Sequence, residues 1–351
     1  MRNHIRLSRF LVMALALSMS TLVQAQTTNC VSKTGKQLVI YRAGSLTRAF
    51  TPLEAMFTCQ TGVEVKDFPM GSVDAGRQIT AGGQAADLYA PADYLDIDLL
   101  MKPAGYASFN IVFARGRMVL AYSANGLAAK KLPSVAEPGP FNPPNNIPKA
   151  AAKWYETLTM PNVAISGGHP FLDPGAYRGP MMFQLAEEFY KAPNLYNNLL
   201  KRMIIPGANS GATLGKEFDF QFTYEHTAQA TAATNPDYRY VRLPEEIDMS
   251  DPAKDVYYRQ NAVVVIPGLG TPKSAKTVAI PGAHVAWGIT LMNNAPNKDT
   301  AVKFLQLLLS PAGTALMNQY GPAPISPALV NAADLGKLPS SLRSLVKTNG
   351  K

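Results

Sequence analysis

The stretch that decides the fold is residues 37–50, QLVIYRAGSLTRAF. Its apolar first half predicts a buried strand, and Gly44 marks a tight turn where a ligand can approach the backbone because glycine has no Cβ. Ser45 is a residue type that favours the position just before a helix, so the free N–H groups that follow it would face a ligand in front of the helix. Such a helix start favours an anion, although a capped strand–turn–helix unit is common in itself.

A second unit repeats this arrangement. Residues 62–68 alternate between apolar and polar side chains like a strand, and Gly71 and Ser72 follow before a polar helical segment. The two units place two hydroxyls and two sets of backbone amides at the carboxyl edge of a parallel sheet. Ligands of open α/β sheets bind at that edge.

The rest of the chain continues the alternation of strands and helices, which predicts an α/β fold with parallel sheets. At 351 residues the chain is long enough for two domains. Further strand-like segments are residues 85–90, 111–123, 163–166, 218–229, 238–243, 263–266 and 285–291, and the clearest later helices are residues 180–190 and 296–310. The segment 111–123 is long enough to run from one lobe into another.

The first 25 residues have the pattern of a secretory signal peptide. Arg2, Arg6 and Arg9 precede an apolar run at residues 10–17, and small residues lead to a cleavage site after Ala25. The apolar run is too short for a membrane span. We therefore expect a soluble mature protein in the periplasm.

Cys30 and Cys59 are the two cysteines of the chain. In an oxidising compartment they are expected to form a disulfide that ties the N-terminal extension to the end of the first helix. The alternative is lipidation of Cys30, which the preceding residues TTN do not favour. With no neighbouring histidine, the pair does not form a metal site.

Charge and motifs argue against several other functions. Removing the three signal-peptide arginines leaves 30 basic side chains against 24 acidic ones, spread along the chain. Without a basic run interleaved with aromatics, nucleic-acid binding is not predicted. The sequence has no G-x-S-x-G, H-E-x-x-H, C-x-x-C or P-loop motif, so we expect no enzyme activity and no cofactor.

Several stretches in this order resemble the periplasmic tungstate/molybdate-binding proteins of ABC importers, in the archaeal-type branch of that family. DPGAYR and LPEEIDMSDP are the more specific of them. The matching stretches are residues 40–50 (IYRAGSLTRAF), 71–72, 85–93 (AADLYAPAD), 173–190 (DPGAYRGPMMFQLAEEFY), 222–226 (FTYEH), 238–252 (YRYVRLPEEIDMSDP), 287–313 and 319–327.

The resemblance implies a two-lobed periplasmic-binding-protein fold of type II with a tetrahedral oxyanion held in a cleft between the lobes. The implied lobes are residues 36–117 with 293–351, and residues 118–292. The implied ligands of the oxyanion are Ser45 and Ser72 from the first lobe, and Asp173 and Glu225 from the second, with Gly44, Gly71, Tyr177 and Arg178 as supporting residues.

Asp173 and Glu225 are implied to bond the tungsten or molybdenum atom directly. Two carboxylates facing a dianion repel it by about 4 kcal/mol per unit pair at 4 Å and an effective dielectric of 20, unless they bond the metal or one is protonated. Sulfate and phosphate cannot expand their coordination in this way. The alternatives are that Asp173 is a turn residue before Pro174 and that Glu225 faces solvent on a strand.

The sequence departs from the family pattern beside these residues. Ala176 and Gly179 stand where a Cys and a Ser are expected, and residues 226–228 (HTA) replace a more basic, apolar run. The surroundings of the site, and with them its selectivity, are therefore expected to differ from those of the family.

The resemblance thus predicts a monomeric binding protein that delivers tungstate or molybdate to a permease in the inner membrane. Within the binding class, the alternative ligands are sulfate, phosphate or ferric ion. A secreted hydrolase that uses Asp173 and Glu225, and a ligand-sensing adaptor for a membrane receptor, are the alternatives from other classes.

Overall fold

The structure is a computed structural model that describes residues 30–169, 171–205, 213–270 and 276–349. The signal-peptide prediction for residues 1–25 lies outside the described residues. The strands are, in chain order, β1 Gln37–Ala43, β2 Glu64–Met70, β3 Leu88–Ala90, β4 Ile111–Arg115, β5 Met118–Ser123, β6 Ile165–Ser166, β7 Met203–Ile204, β8 Phe220–Tyr224, β9 Tyr238–Arg242, β10 Val263–Pro267, β11 Thr277–Pro281, β12 Ala286–Leu291, β13 Ala323–Asn331 and β14 Val346–Asn349.

Helices alternate with these strands, as the sequence predicts. They are α1 Thr47–Thr61, α2 Ser72–Thr80, α3 Tyr94–Asp96, α4 Ala124–Lys130, α5 Trp154–Leu158, α6 Pro174–Tyr190, α7 Leu195–Leu200, α8 Glu225–Ala232, α9 Glu245–Asp248, α10 Asp255–Asn261, α11 Lys298–Leu308, α12 Pro311–Tyr320 and α13 Ala332–Leu335. Three short 3-10 helices, Gly44–Leu46, Pro252–Lys254 and Ser340–Leu345, and one π-helical turn, Ile97–Met101, complete the described elements.

Two mixed sheets form the centres of two lobes. The first lobe contains the seven-stranded sheet β14-β13-β4-β12-β3-β1-β2, and the second contains the five-stranded sheet β7-β6-β8-β5-β9. The hairpin β10-β11 is separate and is joined to α6 of the second lobe by hydrogen bonds between Gln184 and Val263. The α/β class and the two-lobed arrangement predicted from the sequence are confirmed.

The first sheet sets the two predicted helix starts side by side. Strand β1 pairs in parallel with both β2 and β3, so their carboxyl ends lie at one edge of the sheet. The turn Gly44–Leu46 follows β1 and the start of α2 follows β2 at that edge. Leu38, Ile40, Tyr41 and Ala43 of β1 are buried, as their sequence predicts, and Val39 is half-buried.

The chain crosses between the lobes after β4 and again before β12. Residues 111–123 form two strands, β4 in the first sheet and β5 in the second, with the break at Gly116 and Arg117. Strand β12 pairs with β4 and β3, so it belongs to the first sheet. The predicted division at residue 293 therefore lies too late, because the return crossing precedes β12.

Two local predictions need correction, and the C-terminal residues add two strands. Helix α6 begins at Pro174 rather than Pro180, because Asp173 caps it and Pro180 is accommodated inside it. Residues 218–229 are a strand only as far as Tyr224, and helix α8 follows. The residues after Gly321 form strand β13 despite their prolines, and the C-terminal residues continue to β14, which pairs with it.

The predicted disulfide between Cys30 and Cys59 is present and joins the N-terminal extension to α1. The backbone amides of Val31 and Thr34 donate hydrogen bonds to the carbonyls of Cys59 and Gly62, respectively. These bonds hold the N-terminal extension against the end of α1. Within the described ranges, no single helix has the length and apolar character needed to cross a membrane; α11 and α12, bent by 67° at their junction, meet the criterion only together.

Candidate ligand-binding site

A cleft of about 780 Å³ lies between the two lobes. The first lobe contributes the turn after β1 and the start of α1, and the second contributes the residues around β6, β8 and the starts of α6 and α8. Three of the residues predicted for the site line this cleft: Gly44, Ser45 and Asp173. Ligand sites of this volume are typical of small-molecule binding proteins.

Ser45 is oriented by a tryptophan rather than used as a helix cap. The indole Nε1 of Trp287 donates a hydrogen bond of 3.0 Å to the Ser45 hydroxyl oxygen. The first turn is preceded by Ala43 and has no side-chain cap, so the predicted capping role of Ser45 is wrong. Because an indole N–H can only donate, the Ser45 hydroxyl keeps its own proton for another acceptor.

Gly44 leaves room for a ligand at the same turn. A side chain at this position would meet no atom within 4 Å. The open space agrees with the expectation that a ligand can approach the backbone here. It also means that the residue lies on the wall of the cleft and not in the core.

His226 joins the second lobe to this turn and carries no charge at neutral pH. Its Nε2 lies 3.0 Å from the carbonyl oxygen of Ser45. Burial lowers the pKa of His226 to about 4, so the ring is neutral at pH 7 and its Nε2–H donates to the carbonyl. The imidazole also contacts the rings of Tyr224 and Trp287, which lie in different lobes.

Asp173 stands opposite Ser45 as the cap of helix α6. One carboxylate oxygen accepts a hydrogen bond of 2.6 Å from the backbone amide of Gly175. Burial raises the pKa of Asp173, against the lowering effects of the Gly175 hydrogen bond and the charge of Arg178. Asp173 is therefore both a helix cap and the carboxylate of the cleft wall.

Glu225 has a different position from the one expected. It is the first residue of α8, and its carboxylate pairs with Arg242 at 2.6 Å and with Arg117 at 3.3 Å. Arg117 also pairs with Asp248 at 3.2 Å. The described residues that line the cleft include His226 and Thr227 of α8 but not Glu225. Its role as a metal ligand stays a prediction.

Gly71 is half-buried and Ser72 fully buried where the two lobes meet. The Ser72 hydroxyl oxygen accepts from the backbone amide of Ala92 at 2.9 Å. The free amides at the start of α2, those of residues 73 and 74, donate to the carbonyl of Leu172 from the second lobe. A Cβ at Gly71 would lie 2.5 Å from that carbonyl oxygen, so only glycine allows this approach. The predicted anion-binding role of Ser72 is untested, and its hydroxyl and helix start have protein partners here.

Tyr177 and Arg178 fasten α6 to the first lobe. The Tyr177 hydroxyl donates to Asp93 at 2.7 Å. The guanidinium of Arg178 donates to the Ala92 carbonyl at 2.9 Å and to the Tyr224 hydroxyl at 2.8 Å, and it lies 3.3 Å from Asp93. Both side chains are fully buried, so they support the closed arrangement of the lobes and do not face the cleft.

Sequence reasoning missed other cleft residues. Among the described lining residues, Arg48 is the one cation and Asp173 the one carboxylate. Thr227, Thr231 and Thr234 present hydroxyl-bearing side chains from one face of α8 and the turn after it. Their spacing of three and four residues is the signal that could have found them, had α8 been recognised as a helix.

The departures from the family pattern also lie at the cleft. Ala176 and Gly179 of α6 are both lining residues, and a Cβ at Gly179 would meet no atom within 4 Å. Small side chains at these positions leave the cleft wider and less polar than cysteine and serine would. Ala176 and Gly179 can therefore alter the choice of ligand directly, because both residues form part of the cleft wall.

The fold and the cleft together define a class of protein that binds a small solute between two lobes. The chain belongs to the family described as bacterial extracellular solute-binding proteins, which it matches over residues 38–322. It is 29% identical to the molybdate/tungstate-binding protein WtpA of Pyrococcus abyssi, over 90% of this chain and 91% of that protein.

Solved structures support the fold at lower sequence similarity. The sulfate-binding protein SubI of Mycobacterium tuberculosis has a TM-score of 0.56 and 15% identity, over 89% of this chain and 94% of its own. The periplasmic molybdate-binding protein of Azotobacter vinelandii has a TM-score of 0.52 and 14% identity, over 82% and 98%. Both confirm the two-lobed architecture of a periplasmic binding protein.

Proposed function

We propose that this protein is the periplasmic substrate-binding component of an ABC importer and that it binds tungstate or molybdate in the cleft between its lobes. The observation that carries the proposal is that Ser45 of the first lobe and Asp173 of the second line the same cleft. The similarity to a protein named for binding these two anions supports the choice of ligand.

In this proposal, Ser45 donates its hydroxyl proton to an oxygen of the anion. Trp287 holds the hydroxyl oxygen from behind, so the donor is already oriented before the ligand enters. Gly44 leaves the adjoining backbone open to the ligand, and Arg48 supplies the positive charge at the cleft wall. Hydrogen bonds of this kind replace the water around the anion.

Asp173 approaches the metal atom of the anion from the opposite wall. Its carboxylate repels a dianion by about 4 kcal/mol at 4 Å and an effective dielectric of 20, unless it coordinates the metal or is protonated. Burial already raises the pKa of Asp173, so the unliganded carboxyl holds a proton more readily than a free aspartate does. Coordination to tungsten or molybdenum would replace that proton.

Glu225 and Ser72 complete the proposed ligand set only by exchanging their present partners. Glu225 would leave Arg117 and Arg242, and the start of α2 would leave the carbonyl of Leu172. The second exchange becomes possible when the lobes move apart, whereas the first is a rearrangement within the second lobe, since Glu225 and Arg242 both belong to it. Ser45 and Asp173 therefore form the first pair of contacts in the proposal.

Delivery follows from the two-lobed arrangement. An anion that contacts both lobes binds the closed form better than the open form and so shifts the balance toward closure. The closed monomer is the shape that a permease in the inner membrane would recognise. The reaction cycle contains no chemical step and needs no cofactor.

Sulfate or phosphate is the second candidate ligand. Glu225 forms ion pairs with Arg117 and Arg242, and a carboxylate held in this way is not free to coordinate a metal. This observation favours sulfate or phosphate, which need no coordinating carboxylate. Such an anion would be held by hydroxyls, amides and Arg48 alone. Loss of Asp173 would then leave the affinity unchanged or improved.

Isothermal titration of the mature protein with tungstate, molybdate, sulfate and phosphate tests the proposal. We expect tight binding of the first two alone. Asp173→Ala should weaken tungstate binding by about tenfold or more. Removing a residue that only hydrogen-bonds to a metal ligand already lowers metal affinity by about tenfold, and Asp173 is proposed to be a direct ligand. Asp299→Ala, which removes an exposed carboxylate on α11, is the matched control. Binding of sulfate or phosphate alone would contradict the proposal.

A further inference from the structure

A second cavity, of about 700 Å³, also spans the two lobes. Its walls come from β4, β13 and β14 of the first lobe and from the start of α10 and His284 before β12. Among the described residues, it shares no lining residue with the cleft that contains Ser45 and Asp173. The proposed function makes no use of it.

Three cations line this cavity, and none of them has a partner in the described part of the chain. They are Arg115 at the end of β4, Lys347 on β14 and Arg259 on α10. None of the three forms an ion pair or a side-chain hydrogen bond with any residue of the described ranges. All three side chains are exposed, so a ligand in the cavity can reach them.

The two carboxylates of the same cavity are already engaged. Asp98 pairs with Lys102 at 2.6 Å and accepts a hydrogen bond from the Asn110 amide at 3.1 Å. Asp255 accepts from both the backbone amide and the Nδ1 of His284, each at 2.9 Å. Lys102 offsets the charge of Asp98, and the three cations outnumber the two carboxylates, so the cavity has a positive excess.

Neutral donors complete the lining. The Asn331 side-chain oxygen caps α13 by accepting from Ala333, which leaves its NH₂ group to donate elsewhere. Tyr94, whose ring lies 5.3 Å from that of His284, keeps its hydroxyl proton because burial raises the pKa of the phenol. Donors of this kind recognise the oxygens of carboxylates and phosphates.

We propose that this cavity is a second binding site, for a small multivalent anion with carboxylate or phosphate groups. Such a ligand pairs with Arg115 and Lys347 on one lobe and with Arg259 on the other. Arginine favours carboxylate and phosphate because its planar fork matches two oxygens at once. Because the cations belong to both lobes, an anion that pairs with all three also links the lobes to each other.

Titration of the mature protein with citrate and with pyrophosphate tests this proposal and separates the two anion chemistries. We expect one molecule of at least one probe to bind, with an affinity that falls as salt is added. Arg259→Gln and Lys347→Gln should each raise the Kd about threefold to tenfold, and the double variant should raise it further. Circular dichroism checks that each variant is folded.

Two further variants make the test specific. Lys303→Gln removes an exposed lysine of α11 outside the cavity and should leave the Kd unchanged. Arg48→Gln changes the cleft, so a loss of probe affinity in that variant would place the probe there and overturn the proposal. Equal losses in Lys303→Gln and Lys347→Gln would reveal diffuse surface attraction. Failure of both probes to bind would also overturn it. Tungstate titration of the same variants reports on the proposed function separately.

Discussion

Ser45 illustrates how a single side chain is made ready for a ligand. Its oxygen accepts from Trp287, its carbonyl accepts from neutral His226, and its hydroxyl proton has no acceptor among the described residues. Both Trp287 and His226 are far from Ser45 in sequence. A serine at a helix start thus predicts a donor at the right place, but the residues that orient it depend on the tertiary fold.

Trp287→Phe should weaken tungstate binding about twofold to tenfold, because it removes a hydrogen bond worth about 0.5–1.5 kcal/mol that orients the Ser45 hydroxyl. If Trp287 acts through Ser45, the same substitution in a Ser45→Ala background should have little further effect. Titration of the two single variants and the double variant measures this coupling. Trp154→Phe is the control, since Trp154 is equally buried and its indole donates to Tyr190. Additive losses would contradict the positioning role.

The affinity for tungstate should fall as the pH is lowered toward the raised pKa of Asp173. Asp173 has a raised pKa, so protons compete with the metal for its oxygens at a higher pH than they would for a free aspartate. Titration at a series of pH values, with Asp173→Asn as the comparison, measures the effect. The variant should show a flatter profile. An affinity that rises toward low pH would instead indicate a protonated carboxyl beside the anion.

Glu54 predicts a stability that depends on pH. Burial, together with the charge of Asp67, raises its pKa to about 8, although Arg42 lies 3.8 Å away. Because the folded pKa exceeds the unfolded value of 4.5, the folded state binds the proton more tightly. The free energy of unfolding should therefore fall as the pH rises between about 4.5 and about 8, by on the order of 1 kcal/mol per pH unit.

Urea unfolding of Glu54→Gln and of wild type at several pH values checks this expectation. The variant should lose most of the dependence on pH, because an amide does not titrate. Glu64→Gln is the control, since Glu64 is exposed on β2. A slope unchanged by Glu54→Gln would assign the effect to another group, with Asp67 the first to test because its pKa is also raised by burial.

At the scale of elements, the sequence predicts most strands and helices and fails where two signals compete. Pro180 is a typical first residue of a helix, but Asp173 and Pro174 provide an equally good start six residues earlier, and the longer helix buries more apolar surface. Strand β13 contains prolines that argue against a strand, yet it pairs with β4 around an irregularity between Pro324 and Leu329. Tertiary pairing decides both cases.

The candidate site likewise contains residues that local sequence signals predict and residues whose surroundings depend on the tertiary fold. Turn chemistry points to Gly44 and Ser45, the resemblance adds Asp173, and all three line the cleft. The alternation of residues 218–224 predicts that Glu225 lies on a strand, whereas its two arginine partners are distant in sequence. Ion pairs between distant residues cannot be predicted from one sequence without knowing which strands are neighbours.

The disulfide is the element-scale feature with the clearest energetic consequence. It closes a loop with a sequence separation of 29 residues at the N-terminal end of the first lobe. Cys30→Ser with Cys59→Ser should lower the free energy of unfolding by about 2–4 kcal/mol. Denaturant unfolding of the double variant measures the loss, and tungstate titration of the folded variant should give an unchanged Kd. A large change in affinity would mean that the disulfide also shapes the cleft.

At the scale of the whole molecule, the contacts between the lobes set the balance between open and closed forms. Arg77 of α2 donates to the carbonyls of Phe171, Pro267 and Gly268, and Tyr177 and Arg178 of α6 bond the first lobe. Both partners in each bond are protein groups, so these bonds contribute to the stability of the closed form in addition to any contact with a ligand.

Tyr177→Phe should shift this balance toward the open form. The substitution removes the hydrogen bond to Asp93 and leaves the volume of the buried ring almost unchanged. A hydrogen bond worth about 0.5–1.5 kcal/mol corresponds to a change of about twofold to tenfold in the ratio of closed to open molecules. Small-angle X-ray scattering should report a larger radius of gyration without ligand, and tungstate binding should weaken by up to the same factor, in proportion to the loss of closed molecules.

The control is Tyr196→Phe on α7, where the ring is partly buried in the second lobe. Saturating tungstate should restore the compact form of Tyr177→Phe, because a ligand that prefers the closed form draws the equilibrium back. The variant and the wild type could instead give the same scattering curve, both in the absence and in the presence of tungstate. The Tyr177 hydrogen bond would then hold α6 in place without affecting the ratio of closed to open molecules. In that case Arg77, with its three carbonyl partners across the interface, would be the contact to remove next.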